Sequence, residues 1–344
     1  MNAADAGPVV SSRFDTHHDD LIHDVAYDFY GRRIATCSSD QKLKVWDFDA
    51  ETGEWKLCDS WKAHDCSILK VVWAHPEYGQ VIASCSFDRS VRIWEEQEQG
   101  SGRRWAEKAR LVDSQGAVQN IAFAPNHVGL KLAASASEGV VRIYEAMEVM
   151  NLASWTLMEE FQVGSGGGKE AEGNYCISWC PSKFHPPTMV IGFGKEHAAK
   201  IFRMDQNNRW HAQETLPGHT DVVHDVAWAP SLGRSYQLIA TACKDGRVRI
   251  FKLAGEPSRL VNGGASGISA SPGPGKFRIV KAWEFRDHEA EVWRVEWNVT
   301  GTVLSSSGDD GRVRLWKANY EGEWGLMSVM ASDQGSVDNE MVGH

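Results

Sequence analysis

The sequence predicts an all-β fold: six four-stranded sheets arranged radially, a β-propeller. Three observations predict it: strand-like runs that each end in an aromatic residue, an acid at a fixed distance before each aromatic, and 32 glycines with 15 tryptophans in 344 residues. Short strands carrying large apolar anchors need many tight turns between them, and that pairing of glycine with tryptophan supplies both.

Cut at the runs LKVWD, VRIWE, VRIYE, AKIFR, VRIFK and VRLWK, the chain yields six units. Their aromatics are Trp46, Trp94, Tyr144, Phe202, Phe251 and Trp316, separated by 48, 50, 58, 49 and 65 residues, about the period of a propeller blade. Six residues before each aromatic stands an acid: Asp40, Asp88, Glu138, Glu196, Asp245 and Asp310. An offset that holds while the repeat length varies marks a tight hairpin. Between acid and aromatic, apolar and polar residues alternate, as in Val91 and Ile93 against Arg92, which is the period of a half-buried strand.

Upstream of each acid lies a second apolar run (RRIATCSSD, QVIASCSFD, GTVLSSSGDD) and upstream of that a third (LIHDVAYD, ILKVVWAH, EVWRVEWN). A fourth strand follows each aromatic, opened by Trp55, Trp105, Trp155, Trp210, Phe277 and Trp324 in turn. Four short strands repeated six times, with turn signals at every junction, specify the radial array.

Composition narrows the function. With 42% hydrophobic and 24% charged residues the chain is globular, and 36 basic against 46 acidic side chains give a net charge of −10. No broad cationic surface is available to bind phosphate backbones, so no direct nucleic-acid partner is expected. Cys37, Cys58, Cys66, Cys85, Cys176, Cys180 and Cys243 are odd in number and follow no Cys-x2-Cys pattern, which fits a reducing compartment. The first 20 residues lack the basic start and apolar run of a secretory signal. No later segment approaches the roughly 20 apolar residues of a membrane-spanning helix, so a soluble chain is expected.

At the level of these motifs the chain resembles the WD-repeat family, whose pattern places a histidine before the first strand, an acid in the second hairpin and Trp-Asp at the end of the third strand. His18, His64, His219 and His288 occupy the histidine position. The resemblance implies hydrogen-bonded tetrads of His18, Thr36, Asp40 and Trp46; of His64, Ser84, Asp88 and Trp94; and of His288, Ser306, Asp310 and Trp316. A buried polar chain of this kind stabilises a turn only when every member is satisfied. Departures are informative: the third unit has Asp113 and Ala134 at the His and Ser positions, the fourth keeps only Glu196 and Phe202, and the fifth ends in Phe251. Those blades are expected to rest on apolar packing and to be less rigid.

Counting strands raises the question of closure. The sixth unit continues from Trp324 to Met330 as its own outer strand, yet Val9 to Phe14 (VVSSRF) also reads as a strand just before His18. Six whole blades plus one orphan strand would leave an open ring whose edges a partner fills by strand addition. Val9, Val10, Arg13 and Phe14 are the expected edge against that partner. In the alternative, residues 9–14 are disordered and six blades close on themselves. Residues 1–17 are thus an N-terminal segment, 18–331 the propeller with flexible insertions at 97–104, 164–173 and 254–276, and 332–344 a disordered tail.

The longer strings HDDLIHDVAYDFYGRRIATCSSDQKLKVWD, AFAPNHVGLKLA, APSLGRSYQLIA and WNVTGTVLSSSGDDGRVRLWKANY are more specific. They resemble the SEH-type nucleoporins, paralogues of the Sec-thirteen-type coat proteins, and most of all a fungal member. The resemblance runs from about His18 to Trp324 and is interrupted in the fourth blade. It implies an open six-bladed propeller completed in trans by a blade from an α-solenoid partner. One such partner belongs to the Y-shaped scaffold subcomplex of the nuclear pore, and another to the SEA/GATOR complex that controls TOR signalling. Nuclear pore and vacuolar or lysosomal membrane surface are the implied locations. The rival readings are a COPII coat-type propeller and a peptide-reading WD-repeat adaptor.

Sharper chemistry finds little support. His17, His18, Asp19 and Asp20 resemble a metal cluster, but His18 has a tetrad role and its neighbours fall at a blade junction. Cys176 and Cys180 lack two further ligands and lie in the strand-like run NYCISWCP. The stretch GSGGGKEAEG at 164–173 has glycines and a lysine without the ordered phosphate-loop pattern. The insertion at 254–276 and the tail are Gly-, Ser- and Pro-rich or polar, so mobility is expected there. No nucleophile, base and orienter stand at workable spacing. Neither an enzyme nor a metal or cofactor is expected.

Overall fold

The computed structural model describes residues 14–99, 102–149, 151–164, 175–194, 196–255 and 277–331. Val9, Val10 and Arg13, most of the 164–173 and 254–276 insertions, and the 332–344 tail lie outside them. Blade 1 comprises β1 (Ile22–Tyr27), β2 (Arg33–Ser38), β3 (Lys42–Asp49) and β4 (Glu54–Lys62). Blade 2 comprises β5 (Ile68–Trp73), β6 (Val81–Ser86), β7 (Val91–Gln99) and β8 (Gly102–Leu111). Blade 3 is β9 (Val118–Phe123), β10 (Lys131–Ala136), β11 (Val140–Ala146) and β12 (Trp155–Gln162); blade 4 is β13 (Tyr175–Trp179), β14 (Thr188–Phe193), β15 (Ala198–Met204) and β16 (Trp210–Leu216). Blade 5 is β17 (Val223–Trp228), β18 (Tyr236–Cys243), β19 (Val248–Gly255) and β20 (Phe277–Phe285); blade 6 is β21 (Val292–Trp297), β22 (Val303–Gly308), β23 (Arg312–Ala318) and β24 (Trp324–Ala331).

Each blade is an antiparallel meander in chain order. Apart from these 24 strands, the described residues hold only two single 3-10 turns, Pro76–Tyr78 and Asn126–Val128. None of their helices is long and apolar enough to cross a membrane.

The fixed acid offset has a local cause. In all six blades the residue after the acid adopts a left-handed backbone: Gln41, Arg89, Gly139, His197, Gly246 and Gly311. Asp40, Asp88, Asp245 and Asp310 each accept the backbone N–H two residues on, at 2.9 to 3.2 Å. The short carboxylate thus closes the hairpin and holds the left-handed residue in place. The side chains of β2 and β3 that face one way are small or branched, and they pack on the aliphatic and aromatic face of the next blade. Ala35, Cys37, Leu43 and Val45 of blade 1 meet Ile68, Val71, Ile82 and Trp94 of blade 2. Blades 2 to 6 repeat that contact down the ring.

Two boundaries differ from expectation. Of the expected insertion 97–104, the described residues are paired: Gln97, Glu98 and Gln99 pair with Arg104, Arg103 and Gly102 and extend the β7–β8 hairpin. The polar composition reflects an exposed hairpin whose backbone still pairs. Ala254 and Gly255, placed in the 254–276 insertion, belong to β19 and pair with Arg278 and Phe277.

Candidate functional site

The tetrad residues come together within each blade. His18 Nδ1 lies 2.7 Å from Asp40 Oδ2 and Nε2 lies 2.9 Å from Thr36 Oγ1, to which the Trp46 indole donates at 3.3 Å. His64 has the same partners at 2.9 Å (Asp88) and 2.8 Å (Ser84), with Trp94 donating to Ser84 at 3.0 Å. His288 lies 3.0 Å from Asp310 and 2.7 Å from Ser306, and Trp316 donates to Ser306 at 2.8 Å. Burial lowers the pKa of His64 against the opposing pull of Asp88, so its ring is neutral near pH 7. Burial alone would raise Asp88, but bonds from His64 and Ser90 outweigh it and hold the carboxyl below its ordinary range. These groups are sunk in the blades, and their chemistry is structural.

Blade 5 departs from the expected purely apolar support. His219 Nε2 bonds Thr241 Oγ1 at 2.9 Å, while Asp245 turns to Arg249 at 2.6 Å. Phe251 supplies no indole donor to Thr241, and the Asp245–Arg249 pair matches Asp88–Arg92 and Asp310–Arg314 of blades 2 and 6. Blades 3 and 4 pair their acids with cations on the next strand, Arg142 with Glu138 and Lys200 with Glu196, both at 2.6 Å. Of the remaining candidates, Cys176 and Cys180 are buried thiols, raised by burial, and Asp19 pairs with Lys42 at 2.7 Å on the surface.

The feature that departs from sixfold repetition is the seam between blades 6 and 1. Ile22 and Val25 on β1 are 41% and 50% exposed, whereas the counterparts of Val25 in the other blades, Val71, Ile121, Ile177, Val226 and Val295, are at most 4% exposed. Across the seam Val313 is 37% exposed, and its counterparts Leu43, Val91, Val141, Ala199 and Val248 are at most 1%. Leu315 beside it is only half-buried, where Val45, Ile93 and Ile250 are fully covered. Two faces of the kind that meet at every other junction stand uncovered toward each other. Trp73, Trp179 and Trp297 each donate an indole N–H to a carbonyl of the preceding blade at 3.0 to 3.1 Å. Tyr27 holds that position in blade 1, is 59% exposed, and packs edge-on against Trp55 of its own blade.

Phe14 sits at this seam. At three junctions an outer-strand aromatic packs on the third-strand aromatic of the following blade: Trp61 on Trp94 (5.5 Å), Phe161 on Phe202 (5.5 Å) and Phe285 on Trp316 (4.3 Å). Phe14 packs on Trp46 at 5.2 Å in the same way. Its ring thus meets the third-strand aromatic of blade 1 as the outer-strand aromatics of blades 1, 3 and 5 meet those of the blades that follow them. Trp61 and Phe285 stand three residues before their histidines; Phe14 stands four before His18, and the additional residue is taken up at His17, whose φ is 50°.

The inner strands enclose a central channel of about 790 Å³. Asp24, Lys70, Asp225, Arg294 and Glu296 line it. Sequence reading missed the seam residues Ile22, Val25, Tyr27, Val313 and Leu315, because VRLW in blade 6 has the pattern of the buried VRIW in blade 2. Their exposure depends on which blade comes next. Buried Arg33 also had no local signal; it joins Asp47 of blade 1 to Glu96 of blade 2, both at 2.7 Å.

Fold, hairpin acids and tetrads together define a WD-repeat propeller. The WD domain, G-beta repeat family matches residues 9–47, 55–95, 210–252 and 280–317, the four blades that carry a histidine at the first position. Over most of its length the chain is similar to named proteins. It is 46% identical to nucleoporin SEH1 of Saccharomyces cerevisiae over 93% of this chain and 99% of that one. It is 42% identical to nucleoporin seh1 of Schizosaccharomyces pombe (95% and 98% covered) and 45% to nucleoporin SEH1 of Homo sapiens (93% and 88%). The chain belongs to the SEH1 nucleoporin family, and it is a structural propeller, not an enzyme.

Proposed function

We propose that this chain is a scaffold subunit of the nuclear pore complex, in its Y-shaped outer-ring subcomplex, and that an α-solenoid nucleoporin inserts a blade between its blades 6 and 1. The observation that carries the reading is the pair of uncovered apolar faces, Ile22 and Val25 against Val313 and Leu315, in a ring whose other junctions bury the equivalent residues. Exposed strand faces of this kind are a liability unless a partner covers them. The packing of Phe14 on Trp46 supports an N-terminal segment that serves as outer strand of the seventh blade, which leaves three strands for the partner to bring. The nucleoporin names of the relatives favour the pore as the site of assembly.

The same seam would serve a second solenoid, in the SEA/GATOR complex on the vacuolar or lysosomal membrane. One seam admits one blade, so the two assemblies would compete for the chain. Affinity purification of the tagged chain from its native cells, with mass spectrometry of stoichiometric partners, tests the reading. A pore solenoid is expected, lost or weakened when residues 1–16 are removed while the six blades stay folded. Recovery of COPII coat subunits alone, or of a histone-tail or ubiquitin-ligase machine, would overturn it in favour of the coat or peptide-reading alternative.

A further inference from the structure

At the inner rim, one register position on the first strands of blades 1 and 5 reaches the following blade. In blade 1 it is Asp24, whose Oδ2 accepts the Val71 N–H of blade 2 at 3.2 Å; in blade 5 it is Asp225, whose Oδ2 accepts the Val295 N–H of blade 6 at 3.2 Å. In blade 6 the position holds Arg294, and the strand it reaches is β1, across the seam. Arg294 Nη2 lies 3.1 Å from Asp24 Oδ1 and donates to the His23 carbonyl at 3.3 Å. The seam is therefore tied at the propeller axis and uncovered farther out, at Val25 and Val313. Burial in the channel disfavours the guanidinium charge, but Asp24 and then Asp225 more than restore it, so the tie is ionic. With the Arg294 side chain 36% and the Asp24 side chain 12% exposed, the pair is only partly screened by water.

We propose that Arg294 is a latch of the unfilled seam, holding the inner strands of blades 6 and 1 together until an incoming blade displaces it. The inference rests on the blade-insertion reading above. An incoming first strand laid between β21 and β1 becomes the next blade that position 294 faces. The bonds to Asp24 and the His23 carbonyl then have to open before the strand can seat. The strand best suited to take the latch over presents the acceptors that Asp24 and His23 present now, a side-chain carboxylate or amide oxygen beside a free backbone carbonyl. The latch sets the rate of entry, and its reclosure holds the inner rim of an empty ring in register.

The test measures association of the purified α-solenoid nucleoporin with the full chain and with its Arg294→Gln, Arg294→Lys and Val25→Arg variants. Hydrogen exchange of the Ile22–Tyr27 amides is followed in the free proteins. Loss of the latch should raise the association rate of Arg294→Gln about tenfold and speed exchange in β1. Arg294→Lys, which keeps one charged donor, should fall between it and the parent. Val25→Arg places a charge on a half-exposed position, leaves the free fold intact and should abolish binding. If Val25→Arg stops binding while Arg294→Gln associates no faster than the parent, the latch is wrong and blade insertion stands. If Val25→Arg binds as the parent does, the seam is not the entry site and both ideas fall.

Discussion

Substituting aspartate for valine at equivalent positions on either side of an intact junction and on the seam gives a direct measure of how open the ring is. Val71 is fully buried between blades 1 and 2, and Val25 occupies the same register on β1 but is 50% exposed. Val71→Asp forfeits the burial of a whole side chain, about 1.5–3 kcal/mol. It also places a carboxylate in an apolar junction without a partner, which costs about 2 kcal/mol or more on top. Val25→Asp loses at most half the apolar burial and leaves its carboxylate in water, so about 0.5–1 kcal/mol is expected. With a urea dependence of about 3 kcal/mol per molar, the first variant should lower the unfolding midpoint by about 1 M or more and the second by about 0.3 M or less. Urea titrations followed by tryptophan fluorescence, with circular dichroism as a second probe, read both. Equal losses at the two sites would mean that blade 6 packs on blade 1 as blade 1 packs on blade 2, and the open seam would be refuted.

Three further outcomes are expected. Trp316, fully buried, stacked on Phe285 and bonded to Ser306, should lose about 3–5 kcal/mol on replacement by Ala and about 1–2 kcal/mol on replacement by Phe, which keeps the ring and removes the donor; thermal unfolding of the two variants checks the order. Arg89→Gly, at φ 68° on an exposed turn, should stabilise the chain by about 0.5–1 kcal/mol by relieving the left-handed strain, and an unchanged or lower melting temperature would speak against that geometry. His219 is lowered to about 4 by burial and by the nearby Arg249 guanidinium. The unfolded chain, with an ordinary histidine near 6.5, then binds more protons, so this stability is present above about pH 6.5 and is lost as pH falls toward 4. His64 and His288, also lowered by burial, act in the same direction. A melting temperature that rises on acidification from pH 7 to 4.5 would contradict the assignment, and His219→Gln should flatten part of the decline.

Most of the architecture was legible in the chain because each blade is built from local signals. The acid six residues before each aromatic marks a hairpin that closes on its own backbone, so 48- to 65-residue variation in repeat length did not hide it. The tetrads could be placed for the same reason, since their four members lie in one blade. Blade 5 was harder: it keeps the His219–Thr241 bond and the Asp245–Arg249 pair although Phe251 removes the indole that marks the other polar chains. The 97–104 stretch was misjudged because its charged composition resembles a loop, while the pairing of Glu98 with Arg103 depends only on backbone geometry.

The seam lies at the limit of such reading. Val25 and Val71, or Val313 and Val91, hold the same place in similar strand patterns and differ in what stands across the ring. The strand-like run Val9 to Phe14 was the one clue in the chain; of it only Phe14 is described, and its ring packs on Trp46. Arg294 had no signal at all, because the His23 carbonyl and Asp24 that it reaches lie about 270 residues earlier in the chain.

Hydrogen–deuterium exchange of the full chain, alone and bound to the purified α-solenoid nucleoporin, tests the central claim most directly. Insertion of a blade predicts strong new protection on both walls of one gap, in Ile22–Tyr27 and in Arg312–Ala318, with the β5–β9 and β17–β21 junctions unchanged. Protection confined to loops on one face of the ring, with both seam strands exchanging as in the free chain, would contradict it.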